Sequence, residues 1–86
     1  MTLRFTWDEA KAAGNRRKHH VSFETAALVF PDPYALSEQD RVEGGGYRRQ
    51  TIGSVEGVVV LLVAHTVRDD ENGGDVIHII SARRAE

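Results

Sequence analysis

The sequence predicts an α+β fold: a short N-terminal strand, then two helices packed on one face of an antiparallel β-meander. Three observations carry this. Helical apolar spacing is confined to the first third of the chain, and Pro31 and Pro33 close it, because proline supplies no amide to a continuing helix. The pattern then changes to strand-like alternation. Short turn signals separate the later strands, which makes antiparallel neighbours the natural pairing.

Leu3-Arg4-Phe5-Thr6-Trp7 alternates apolar and polar residues and reads as the first strand. Thr6 and Glu9 have capping-box spacing, with Asp8 as the competing cap, and the helix that follows runs to about Lys18. Gly14 lies inside it at a cost of about 1 kcal/mol relative to Ala. Ser22 caps a second helix, Phe23 to Phe30, with Phe23, Ala26, Ala27 and Phe30 on one face. Tyr34 to Ser37 forms a short strand, and Gln39 to Gly46, ending in three glycines, reads as a loop. Tyr47 to Ile52 and Val58 to His65 are strands joined by the tight connection Ser54-Val55-Glu56-Gly57. Asp70-Glu71-Asn72-Gly73-Gly74 is a hairpin turn, with Asn-Gly supplying positive φ, and Val76 to Ala82 is the last strand.

At 86 residues the chain has room for one domain, residues 1–86, and one core. Its 41% apolar and 28% charged residues are ordinary for a globular protein. The one strongly apolar stretch, Val58 to Ala64, is too short to cross a bilayer, and no signal-peptide pattern opens the chain. The absence of cysteine excludes a disulfide framework and a thiolate site, and it fits the cytoplasm. Both alternating sets of the Val58 to Ala64 strand are apolar, so both sheet faces want covering. Two helices cover one, so either the chain folds back over the other or a partner covers it.

A net charge of −2 argues against coating nucleic acid by bulk electrostatics. The basic residues are nevertheless clustered, at Arg16 to His20, at Arg48-Arg49 and at Arg83-Arg84. Ribonuclease chemistry without a metal needs a base for the ribose 2′-OH, a cation for the phosphorane and an acid for the 5′-oxygen. Histidine suits both proton transfers and arginine forks onto phosphate oxygens. His19, His65, Arg48, Arg68 and Arg83 are of these types. Each has a plain alternative: a strand-end histidine bonded to backbone, a solvated arginine, or, for Lys18 and His19, a favourable place at a helix C-terminus. Hairpin geometry brings Arg48 and His65 to the same edge of the sheet and sets Arg83 at the opposite end, unless the strand bends. The four histidines lack zinc-site spacing, and Gly44-Gly45-Gly46 lacks the context of a phosphate-binding loop, so no metal and no cofactor is expected.

Six ordered pieces resemble the BrnT family, the toxin half of BrnT/BrnA type II toxin–antitoxin systems. They are Phe5-x-Trp7-Asp8, with Lys11 and Asn15; Lys18-His19-x-Val21-Ser22-Phe23-Glu24; Val29-Phe30-x-Asp32-Pro33; Arg48 followed by Thr51-Ile52-Gly53; His65-Thr66-x-Arg68; and Ile79-Ile80-Ser81-Ala82-Arg83-Arg84-Ala85. The resemblance implies a RelE-like fold and a metal-independent endoribonuclease that inhibits growth. It implies neutralisation by a BrnA-like ribbon-helix-helix antitoxin, with operator DNA engaged only through that antitoxin. Within it, His65, Arg48, Arg68, Arg83 and His19 are the candidate catalytic residues, and Lys18, Arg49 and Arg84 the candidate RNA-phosphate ligands. His20 stands where the family usually has Gly, and His78 where it often has Arg. The alternative functions are a non-catalytic module that binds an antitoxin and tunes repression, and a stand-alone RNA-binding domain.

Overall fold

The computed structural model describes residues 3–43 and 46–85. The chain runs β1 (Leu3–Thr6), α1 (Glu9–His19), α2 (Phe23–Ala27), β2 (Leu36–Glu43), β3 (Gly46–Val55), β4 (Val59–Asp69) and β5 (Asp75–Arg84). The five strands form one sheet in the order β1-β5-β4-β3-β2. The meander from β2 to β5 is antiparallel, as expected, while β1 adds parallel to β5, so the sheet is mixed.

Asp8, not Thr6, caps α1, accepting from the Ala10 and Lys11 amides at 2.8 and 3.3 Å. Thr6 belongs to β1, and its hydroxyl is used across the sheet. α1 ends on His20, which takes the left-handed conformation (φ 60°) and returns its amide to Arg16 O. α2 ends as an α-helix at Ala27, short of Phe30, and tightens into i to i+3 turns at Leu28, Val29 and Phe30 before the prolines. The expected loop from Gln39 is instead strand as far as Glu43, because β2 pairs with β3 from Leu36↔Ile52 to Glu43↔Gly46. Cross-strand pairing overrides the local composition there; Gly44 and Gly45 lie outside the described residues. Glu56 and Gly57 both have positive φ in the β3–β4 turn, whereas in the β4–β5 turn only Gly73 does and Asn72 does not.

Both helices lie on one side of the sheet. Phe23, Ala26 and Val29 are fully buried against Leu61, Val63, Ile79 and Ala82, with Phe5, Trp7 and Phe30 packed around them. Burying a side chain such as Phe23 stabilises by about 1.5–3 kcal/mol. Asn15 joins helix to sheet inside this core. Its amide donates to Val21 O (3.0 Å) and Ala82 O (2.9 Å), and its carbonyl accepts from Ala82 N at 3.2 Å. Asp32 ties the turn after α2 to β3, accepting from the Ser54 amide (2.8 Å) and hydroxyl (3.2 Å) and from the Tyr34 amide at 3.0 Å. These amides hold its carboxyl below the usual carboxylate value.

The opposite face carries no helix. Alternation places Ile52, Leu62 and Val60 on it with Leu36, and of these Leu36 is 68% exposed and Val60 44%. No helix among the described residues is long and apolar enough to cross a membrane.

Candidate active site

Pairing register decides which basic side chains share a face. In β3, Thr51 and Gly53 face the helices, so Arg48 and Gln50 face away. In β4, Leu61, Val63 and His65 face the helices, so Leu62, Ala64, Thr66 and Arg68 face away. β5 is less regular. Its register steps from Ala64↔Ser81 to His65↔Ile79, which leaves Ile80 as the extra residue of a bulge. His78 and Arg83 are five apart and would lie on opposite faces of a regular strand. The bulge puts both on the helix-free face.

That face holds a continuous cross-strand row, Thr6–His78–Thr66–Arg48. Thr6 Oγ1 and His78 Nδ1 share a hydrogen bond of 2.9 Å, which fixes the ring and leaves Nε2 for another partner. On one side of the row a concavity of about 110 Å³ is lined by Arg48, Gln50, Leu62, Ala64, Ser81 and Arg83. On the other side a cleft of about 390 Å³ is walled by Arg4, Thr6 and Arg68 together with the carboxylates Asp69, Asp70 and Glu71, and Asp70 pairs with Arg4 at 3.5 Å. A phosphate on the Arg48–Arg83 side of the row meets two arginines beside a histidine, the residue types that neutralise a phosphorane and move protons. No carboxylate among the described residues lines that side, whereas on the other Arg68 is accompanied by acidic groups.

The other sequence-derived candidates lie on the helix side. His65 is 2% exposed, against Phe30 (ring centroids 4.9 Å apart, edge-on). Its Nε2 is 2.7 Å from Thr51 Oγ1, itself 2.6 Å from Ser37 Oγ, and its buried Nδ1 makes no hydrogen bond. Burial, reinforced by the charge of Arg49 across the strand pair and opposed by the Thr66 backbone, pushes its pKa from 6.5 down to about 4. At neutral pH it is an uncharged core residue. Arg48 and His65 are close in register, as hairpin geometry requires, yet point to opposite faces. Lys18 and His19 sit in the last turn of α1, and Arg84 lines a groove with Arg16 and His20. The structure therefore brings Arg48, Arg68 and Arg83 to one face and separates them from His65, His19, Lys18, Arg49 and Arg84.

Sequence reading passed over His78. Its signals were alternation with Val76 and its place beside the first strand, but the parallel β1–β5 pairing that gives it Thr6 spans the whole chain. Among the described residues no group of three His, Asp or Glu converges to hold a metal ion.

A family model described as the ribonuclease toxin BrnT of type II toxin–antitoxin systems matches residues 7–86. The 1.1 Å crystal structure of the Brucella abortus ribonuclease toxin BrnT has the same fold, with a TM-score of 0.76 over 99% of both chains at 23% identity. No curated protein matches the chain.

Proposed function

Because the chain belongs to the BrnT family of ribonuclease toxins of type II toxin–antitoxin systems, we propose that it cleaves RNA on the helix-free face of its sheet, without a metal ion. The observation that carries this is the row from His78 to Arg48 flanked by Arg83 on one side and Arg68 on the other. RNA lies across the strands with its phosphates on these arginines. The ribose 2′-oxygen attacks the adjacent phosphorus and loses its proton as the bond to the 5′-oxygen breaks and that oxygen gains one. Arg48 and Arg83 stabilise the charge on the pentacovalent phosphorus. His78, oriented by Thr6, serves as the proton-transfer group. His65, locked to Thr51, supports the sheet from behind.

The toxin works in the cytoplasm and is neutralised by a BrnA-like ribbon-helix-helix antitoxin, which alone contacts operator DNA. Purified, antitoxin-free protein cleaves single-stranded RNA in the presence of EDTA, and its expression arrests growth. Intact RNA together with normal growth sinks this reading in favour of a non-catalytic module, and salt-dependent RNA binding without cleavage makes it an RNA-binding domain.

A further inference from the structure

A second concave site lies on the helix side, at the end of the sheet remote from His78. Val21, Val55, Val59 and Leu61 form its apolar floor, the Ser22 and Thr25 side chains one wall, and Arg16, His20 and Arg84 a basic rim. Its volume, about 340 Å³, falls in the size range of ligand sites. No carboxylate among the described residues lines it. Val58, 81% exposed at the hairpin tip beside Val59, carries the apolar surface outward.

The lining specifies its occupant. The floor is aliphatic and has no aromatic ring on which a nucleobase could stack, so it suits an apolar amino-acid side chain. Three basic groups around it select a segment whose neighbouring positions are acidic. His20 is present on this rim in a left-handed conformation that costs a non-glycine residue about 1–2 kcal/mol. The helix-free face matches such a segment less well. Its concavity beside Arg83 is lined mainly by polar side chains, and its apolar row is Leu36–Ile52–Leu62 across neighbouring strands, with Val60 on the same face.

We infer that the groove between Arg16, His20 and Arg84 is a docking site for the antitoxin, taking an apolar anchor flanked by carboxylates. The inference rests on the toxin reading for the existence of an antitoxin, and it places this contact on the side of the sheet opposite the RNA. An antitoxin anchored here leaves Arg48 and Arg83 to be covered by another part of its chain, so anchoring and phosphate binding are separable by mutation.

The test uses the full chain and the purified product of the reading frame adjacent to its gene. Affinity is read by calorimetry and RNA cleavage on the same samples, with thermal unfolding as the check on folding. Arg16→Glu reverses one charge on the rim, and Thr25→Tyr, at an exposed position, fills the groove. Each weakens antitoxin binding tenfold or more while RNA cleavage stays within threefold of the unaltered chain. Arg48→Ala reduces cleavage and leaves antitoxin affinity within threefold. The inference is overturned if both groove variants keep their affinity, if the unaltered chain does not bind, or if Ile52→Lys alone breaks the complex. Loss of cleavage in Arg16→Glu with unchanged antitoxin affinity assigns the groove to RNA instead. Failure of the unaltered chain to cleave RNA defeats the toxin reading while leaving the affinity comparison intact.

Discussion

Thr51 Oγ1 and His65 Nε2 lie 2.7 Å apart inside the core, across the β3–β4 pair, and hold the two strands together behind the candidate active face. Burial and the charge of Arg49 favour the neutral imidazole at this position. Its pKa in the folded chain, about 4, lies below the ordinary 6.5. As pH falls, the unfolded chain therefore takes up this proton first. The stability involved is complete above about pH 6.5 and is lost as pH falls toward 4, to a total of about 3 kcal/mol. Urea unfolding measured across that window shows the loss, and His65→Leu flattens it. Asp32, held below 3.8, adds a further loss only in more acidic solution.

Removing an arginine that holds phosphate has an electrostatic signature. Arg48→Ala and Arg83→Ala each lower RNA affinity, and each reduces the slope of log affinity against log salt by about 0.7, the value for one contact to a single strand. Filter binding over a salt series measures both. An unchanged slope in either variant removes that residue from the RNA interface.

His78→Ala lowers the cleavage rate by about 10²–10⁴-fold, the usual range for loss of a proton-transfer group. Thr6→Val removes the 2.9 Å hydrogen bond but keeps the ring. It lowers kcat by about tenfold and leaves KM unchanged, because it disturbs orientation rather than binding. Pre-steady-state cleavage and pH–rate profiles of the two variants separate chemistry from folding. A His78→Ala chain with the parental rate and profile eliminates this role.

Gly53 is held to glycine by its neighbours. A Cβ there would stand 2.8 Å from Val29 Cγ1 and 3.1 Å from Ala35 Cβ, on backbone that Asp32 fixes through Ser54. Gly53→Ala destabilises by about 1–3 kcal/mol, as overpacking does. Its urea midpoint falls with little change in slope.

How far the sequence carries the fold depends on the range of the interactions involved. The Pro31–Pro33 stop, the helix starting at Phe23 behind Ser22 and the apolar β4 all follow from local chemistry, and all stand in the structure. β2 did so only at its start, where the Tyr34 to Ser37 strand overlaps it; Gln39 to Glu43 becomes strand by pairing with β3. The same division runs through the site. Arg48 and Arg83 were marked by residue type and motif, but the shared face of Arg83 and His78 depends on one extra residue at Ile80, which no alternation rule locates in an apolar run. His65 carried the stronger motif, and its burial under Phe30 is a tertiary fact. Asn15 belonged to the family pattern, yet its bonds to Ala82 could be seen only once α1 was laid on β5.

The strand order has a temporal meaning for a chain made from its N-terminus. β5 lies between β1 and β4, so the first strand has no partner until the last has been synthesised. His78, Ser81 and Arg83 all sit on that last strand. A nascent chain whose β5 has not yet emerged therefore lacks the strand that carries these three residues, and the proposed phosphate site forms only after β5 has docked between β1 and β4.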